Sequence, residues 1–284
     1  MIRRRVGDEF WLFTQHDHAL LSGDLARHFG DVDHFNKPEP FDRTILGISL
    51  HDCGWPLHDD APTLNSKGEP LDVFETPPHI GLNVWSASAD RAAARDAYAG
   101  MLASLHALSL SNLAMSQTHA HYNWNDPRLR FEMNKFQHAR VEMHDVLRGK
   151  LGMRTDIPLE NGLALRSADP PEQKLIFNFL LLQAMDKLSL DICCTEMPFP
   201  IIPMVPTVPG GQCVHLSVTR ASAQRIRLEP WPCNIGNIEA EIGYRILPAR
   251  SFESEAAFRA EYAGASARTL RLQITGPSGR SSAA

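Results

Sequence analysis

Six residues of this chain have the side chains and the placement to hold metal ions: His18, His51, Asp52, His79, His106 and Asp186. His51 and Asp52 are adjacent, at the end of the apolar run TILGISLHDCGW that spans residues 44–55. An imidazole beside a carboxylate at the end of a buried helix is costly to desolvate without a partner, and a divalent metal satisfies both. The structural alternative for the pair is a helix-end histidine favoured by the dipole, followed by a turn aspartate. Imidazoles with two carboxylates suit iron, manganese, zinc or nickel better than calcium or magnesium. The set supplies enough groups for two divalent transition metals, with iron expected first. One ion would take His18, His51 and Asp186 and the other His79 and His106, with Asp52 bridging.

Each candidate needs an element that carries it inward. His18, Leu21, Leu25 and Phe29 follow one face of a helix that starts near Gln15 and closes at Gly30. Asp42 is expected to cap the helix that brings Ile45, Ile48 and Leu50 to His51. Thr76-Pro77-Pro78 reads as a helix start ahead of His79, and Asp96 as the start of a helix in which leucines surround His106. Asp126-Pro127 opens a helix to about Leu151. Asp169-Pro170-Pro171 opens another, apolar nearly all round, with Asp186 at its middle. EFWLF reads as an edge strand or an extended lead-in, and residues 55–76 as a long loop of the kind that forms lids or site walls. From Met197 the pattern changes: PFPIIPMVPTVPGG reads as a proline-rich crossing, and VHLSV, RIRLEPW, EAEIGYRIL and TLRLQIT alternate with period two around a helix near residues 254–262. The expected architecture is mainly α: a helical metal-binding domain over 1–196, a small strand-rich α+β extension over 197–276 and a disordered tail over 277–284.

Composition limits the partners. A net charge of -5 with pI near 6.2 leaves no footprint for nucleic acid or an anionic membrane. At 43% hydrophobic and 21% charged residues, disorder over most of the chain is excluded. The five cysteines, Cys53, Cys193, Cys194, Cys213 and Cys233, are odd in number and form no CxxC, which predicts reduced thiols and a cytoplasmic setting. No apolar run reaches the roughly 18 residues of a membrane span, and no signal peptide is read. The expected partner is a small-molecule substrate, with a homodimer left open.

The order His…His-Asp…His…His…Asp, over roughly residues 14–194, resembles the HD superfamily. QHDHALLSGDLARHFG, LHDCGW, the SLH ending at His106 and AMDKLSLDIC look like those of a bacterial family of HD-like proteins. The resemblance implies an HD-type helical bundle around metal. It also implies one of two chemistries: phosphoester hydrolysis by a metal-bound water, the first expectation, or dioxygen activation at a mixed-valent di-iron centre similar to that of myo-inositol oxygenase. A metal-binding sensor or scaffold without catalysis is a third reading. Members of both enzyme classes often carry a lysine two residues after HD, where this chain has Gly54 followed by Trp55. Lys187, Arg91, Arg95 or Lys135 could stand in. The residues expected to act on substrate are Asp52, His119, His121 and Lys187, the two histidines as proton donors or substrate contacts near the open metal face. Gln15 and Asp17 adjoin His18 and could orient its imidazole. His58-Asp59-Asp60 repeats the HD letters in what reads as a solvated turn.

Overall fold

A computed structural model describes residues 1–31, 33–116, 123, 125–194, 200–222 and 224–277. Its helices begin where polar caps and prolines stand in the sequence. α1 (Gln15–Arg27) is capped by Thr14, whose side chain accepts from the Asp17 amide. α2 (Phe41–Leu50) starts after Pro40, so Asp42 lies inside its first turn and does not cap it. α3 (Pro56–Asp59) and a 3-10 turn (Val73–Glu75) give structure to the stretch read as a long loop. α4 (Pro78–Arg95) is followed by α5 (Ala97–Ser116), whose first amides donate to the Asp96 carboxylate. α6 (Pro127–Leu151) runs from its cap Asp126 to Gly152, whose left-handed φ of 66° ends it. α7 (Pro170–Cys194) buries residues on most of its sides, and α8 (Glu255–Gly264) lies near the end of the chain.

The fold is mixed α/β, which corrects the expectation of a mainly α protein with a small appendage. Among the described residues, seven strands form one sheet: β1 (Ile2–Val6), β2 (Glu9–Phe13), β3 (Ile201–Pro206), β4 (Cys213–Ser222), β5 (Arg225–Glu229), β6 (Asn237–Pro248) and β7 (Ala267–Thr275). The spatial order is β1-β2-β6-β7-β5-β4-β3, all pairs antiparallel except β5 with β7. β2 lies inside the sheet rather than at its edge, because Glu9–Leu12 pair with Arg245–Pro248 far along the chain. β3 occupies the stretch read as a proline-rich crossing. It is an edge strand whose register shifts between Ile202 and Val205, and such an edge tolerates the prolines that a central strand would not.

Helices and sheet share one core. Ile2 and Phe13 from the first hairpin, Leu21 and Leu25 from α1, Leu182 and Leu188 from α7, and Ile202, Leu216, Ile226 and Ile274 from the later strands form one buried cluster. α1 packs on β6 and α7 on β1 and β3, while α2 and α5 lie against these two helices. The helices carrying His18 and Asp186 are therefore braced by the sheet on one side and by the helices carrying His51 and His106 on the other. None of the five cysteines forms a disulfide, and among the described residues no helix is long and apolar enough to cross a membrane. Of the expected disordered tail, residues 278–284 lie outside the described residues.

Candidate metal centre

The chain brings five of its six candidate ligands to one place. His18 lies on the inner face of α1, His51 at the end of α2, Asp52 in the turn that follows, His106 in the middle of α5 and Asp186 in α7. His18 Nε2 is 3.2 Å from Asp186 Oδ1 and 3.5 Å from Asp52 Oδ2. His51 Nε2 is 3.2 Å from Asp186 Oδ1 and 3.7 Å from Asp52 Oδ2. The His51 ring meets those of His18 and His106 edge-on, with centroids 5.3 and 4.8 Å away. Among the described residues, two groups have ligand atoms within 4.8 Å of one another: His18, His51 and Asp186, and His51, Asp52 and His106. The cluster can hold a metal ion. His51 Nε2 and Asp52 Oδ1 are buried and make no hydrogen bond, which a bound ion would resolve.

Neighbouring groups set the direction of each ring. The His51 Nδ1 lies 2.7 Å from the Ile48 carbonyl, which only accepts, so Nδ1 carries the hydrogen and Nε2 faces the cluster. For His18 the partner of Nδ1 is the Ser189 hydroxyl at 2.7 Å. Ser189 donates to the Asp186 carbonyl, which leaves its oxygen to accept from the ring, and Ser22 joins it at 2.6 Å. Gln183 Nε2 sits 2.8 Å from His106 Nδ1; the same amide turned over would take the Nδ1 hydrogen and leave Nε2 for an ion. Burial disfavours a charged His18, but the Asp186 and Asp52 carboxylates outweigh it and push the ring up to about 9. His51 is raised against the same burial by the charges of Asp52 and Asp186. Burial also opposes ionisation of the two carboxylates, yet the imidazoles hold Asp52 below the usual carboxylate range and Asp186 well below it. His106, farther from the carboxylates, is pulled down by burial to about 4 and stays neutral.

His79 is exposed on the first turn of α4 and belongs to neither ligand group. Lys187 points its ammonium at Asp191, 3.4 Å from both carboxylate oxygens, and does not line the cavity over the cluster. Arg91 is bonded to the Cys53 carbonyl, where it secures the turn after the HD pair. His119 and His121 lie outside the described residues. His58 and Asp59 are buried, not a solvated turn: Asp59 accepts from the Gln15 amide at the head of α1, and His58 contacts the Thr63 hydroxyl. Asp17 donates its amide to the Thr14 cap and Gln15 lines the cavity; neither is hydrogen-bonded to the His18 ring. Ser22 and Ser189, which the sequence reading missed, stand four residues after His18 and three after Asp186, the spacings that share a helix face.

A cavity of about 170 Å³ opens onto the cluster. His18, Asp52, His106 and Asp186 form its floor, and its walls are mainly apolar, with Trp55, Val73, Phe74, Trp85 and Leu110 among them. Among the described residues, no lysine or arginine lines it. Gly54 explains the missing cation in part. A Cβ there would meet the Val84 carbonyl oxygen at 2.2 Å, because the turn after the HD pair presses on the backbone of α4. Its amide donates to the Ser88 hydroxyl at 2.9 Å.

A family model described as "Protein of unknown function (DUF3891)" matches residues 1–249, a span that includes every residue of the cluster. No curated protein and no solved structure matches the chain.

Proposed function

The chain belongs to the DUF3891 family, and we propose that this member is a metal-dependent hydrolase of the HD type, cleaving a phosphodiester bond in a small molecule. The observation that carries the reading is the pair of buried, unpartnered ligand atoms, His51 Nε2 and Asp52 Oδ1, in a cluster whose chain order resembles that of the HD superfamily. His18, His51, Asp52 and Asp186 would hold one divalent transition metal, with His106 as a fifth donor. A bound ion of that kind acidifies a water and polarises a phosphoryl oxygen. The protein's own contribution is orientation and exclusion of solvent. Ile48 and Ser189 fix the two imidazoles, and the apolar wall narrows water access to the reacting group. Asp52 and Asp186 together balance a divalent charge. A dianionic monoester would then find no cation on the cavity wall, whereas a diester brings a single negative charge, so the diester is favoured.

Two overlapping ligand groups, each with a carboxylate that could be shared between ions, support a second reading, a di-iron oxygenase. Metal analysis separates the two. Anaerobically purified protein should carry one iron, manganese, zinc or nickel per chain and release nitrophenol from bis(4-nitrophenyl) phosphate faster than from 4-nitrophenyl phosphate. Asp52→Ala and Asp186→Ala should each reduce bound metal to near zero, while His79→Ala should leave it at the wild-type level. Two irons per chain with a mixed-valent electron paramagnetic signal would overturn the hydrolase in favour of the oxygenase. Loss of the second of those irons in His79→Ala would return that residue to the ligand set.

A further inference from the structure

We infer that Gln15 and Trp55 are substrate-positioning residues, and that the cavity takes a neutral group about one ring in size carrying both a hydrogen-bond donor and a hydrogen-bond acceptor, as a carboxamide does. The inference rests on the reading of this cavity as the substrate site. Both residues line it, and both are 2% exposed. The indole Nε1–H of Trp55 and the Oε1 of Gln15 are buried and make no hydrogen bond within the protein. A buried donor and a buried acceptor left unmade are each destabilising, and two on side chains that line one cavity point to a ligand that completes them.

Their backbones are held firmly enough to present them. The Gln15 amide donates to Asp59 Oδ2 at 2.9 Å, and the Trp55 amide to the Asp52 carbonyl at 3.1 Å. Gln15 stands three residues before His18 and Trp55 three after Asp52, so each shares a turn of chain with a cluster residue. The rest of the wall selects against charge. Phe74 and Trp85 offer aromatic surface, and the described lining has no lysine or arginine to neutralise an anion away from the cluster. At about 170 Å³, the space is close to the ~150 Å³ at which a protein cavity takes up benzene.

Benzamide in metal-free, nitrogen-15-labelled protein tests this. The Trp55 indole resonance, identified by its loss in Trp55→Phe, should shift saturably with benzamide. Benzoate and adenosine 5′-monophosphate should leave it in place. Followed at the indole of Trp85, benzamide binding should weaken about tenfold in Trp55→Phe and about tenfold in Gln15→Leu, the loss of one hydrogen bond each. Gln15→Leu removes only a side chain whose backbone anchor is retained, so it serves if Trp55→Phe does not fold. Benzamide that moves neither indole, equal affinity in wild type and Gln15→Leu, or benzoate binding as tightly as benzamide would each overturn the inference. Because no metal or turnover enters the measurement, failure of the loaded protein to hydrolyse a diester would overturn the proposed reaction and leave this result standing.

Discussion

His18 and His51 both present Nε2 to the cluster because a neighbour claims the hydrogen on Nδ1, a carbonyl in one case and a hydroxyl in the other. Removing the hydroxyl tests that role. Ser189→Ala should lower metal affinity about 10- to 100-fold without removing a ligand, measured by competition with a chromogenic chelator, and unchanged affinity would refute it. His144 offers a separate test of burial. It is fully buried on α6, and burial together with the Arg140 and Arg148 charges pulls it from 6.5 to about 4. The unfolded chain then takes up this proton at higher pH than the folded one. The stability tied to a neutral His144 is full above pH 6.5 and falls away as the pH drops from 6.5 towards 4, by about 3 kcal/mol in all. His144→Leu should flatten the pH dependence of denaturant-unfolding free energy in that window by this amount; parallel curves would contradict it. At this scale the ligand types were legible in the sequence. The exposure of His79 was not, since a side chain in the first turn of a helix faces wherever the preceding loop aims it.

At the scale of elements, two glycines let backbones approach closely enough to assemble the cluster. Gly23 on α1 crosses α2 at Ser49, where a Cβ would come within 1.9 Å of the serine hydroxyl, and this crossing brings His18 beside His51. Gly54 does the same between the turn after the HD pair and α4. Gly54→Ala should displace that turn, lowering stability by about 1–3 kcal/mol. It should also reduce metal bound per folded chain, because Asp52 moves with the turn. A variant that melts at the wild-type temperature with full metal content would show that α4 yields freely. The helix starts at Pro78, Asp96, Asp126 and Pro170 were readable from local chemistry, as caps and prolines act within one turn of chain. β1 was not, for IRRRV alternates weakly and carries three arginines.

In the whole molecule, the first hairpin and the last strands form one sheet, and that sheet braces the two helices that carry His18 and Asp186. β2 pairs with β6, and α7 packs on β3, so residues 1–196 alone would expose Ile2, Phe13, Leu182 and Leu188 along the face now covered. We expect that fragment to be insoluble or to melt without cooperativity, and the full chain to unfold in a single calorimetric transition. A soluble 1–196 fragment with a sharp melt and bound metal would show instead that the helical part folds by itself.

What the sequence determined by itself was the chemistry and the local elements: imidazoles and carboxylates on apolar helix faces, in an order that resembles HD proteins, and most helix starts. Side-chain type and short-range periodicity carry that information. Only the tertiary structure decided which candidates meet. It joined strands more than two hundred residues apart into one sheet and left His79 outside. It turned the second His-Asp pair into a buried tie and left an indole N–H and an amide oxygen unpaired in side chains that line a cavity. Strand pairing and burial depend on partners distant along the chain, and no local pattern of residues specifies them.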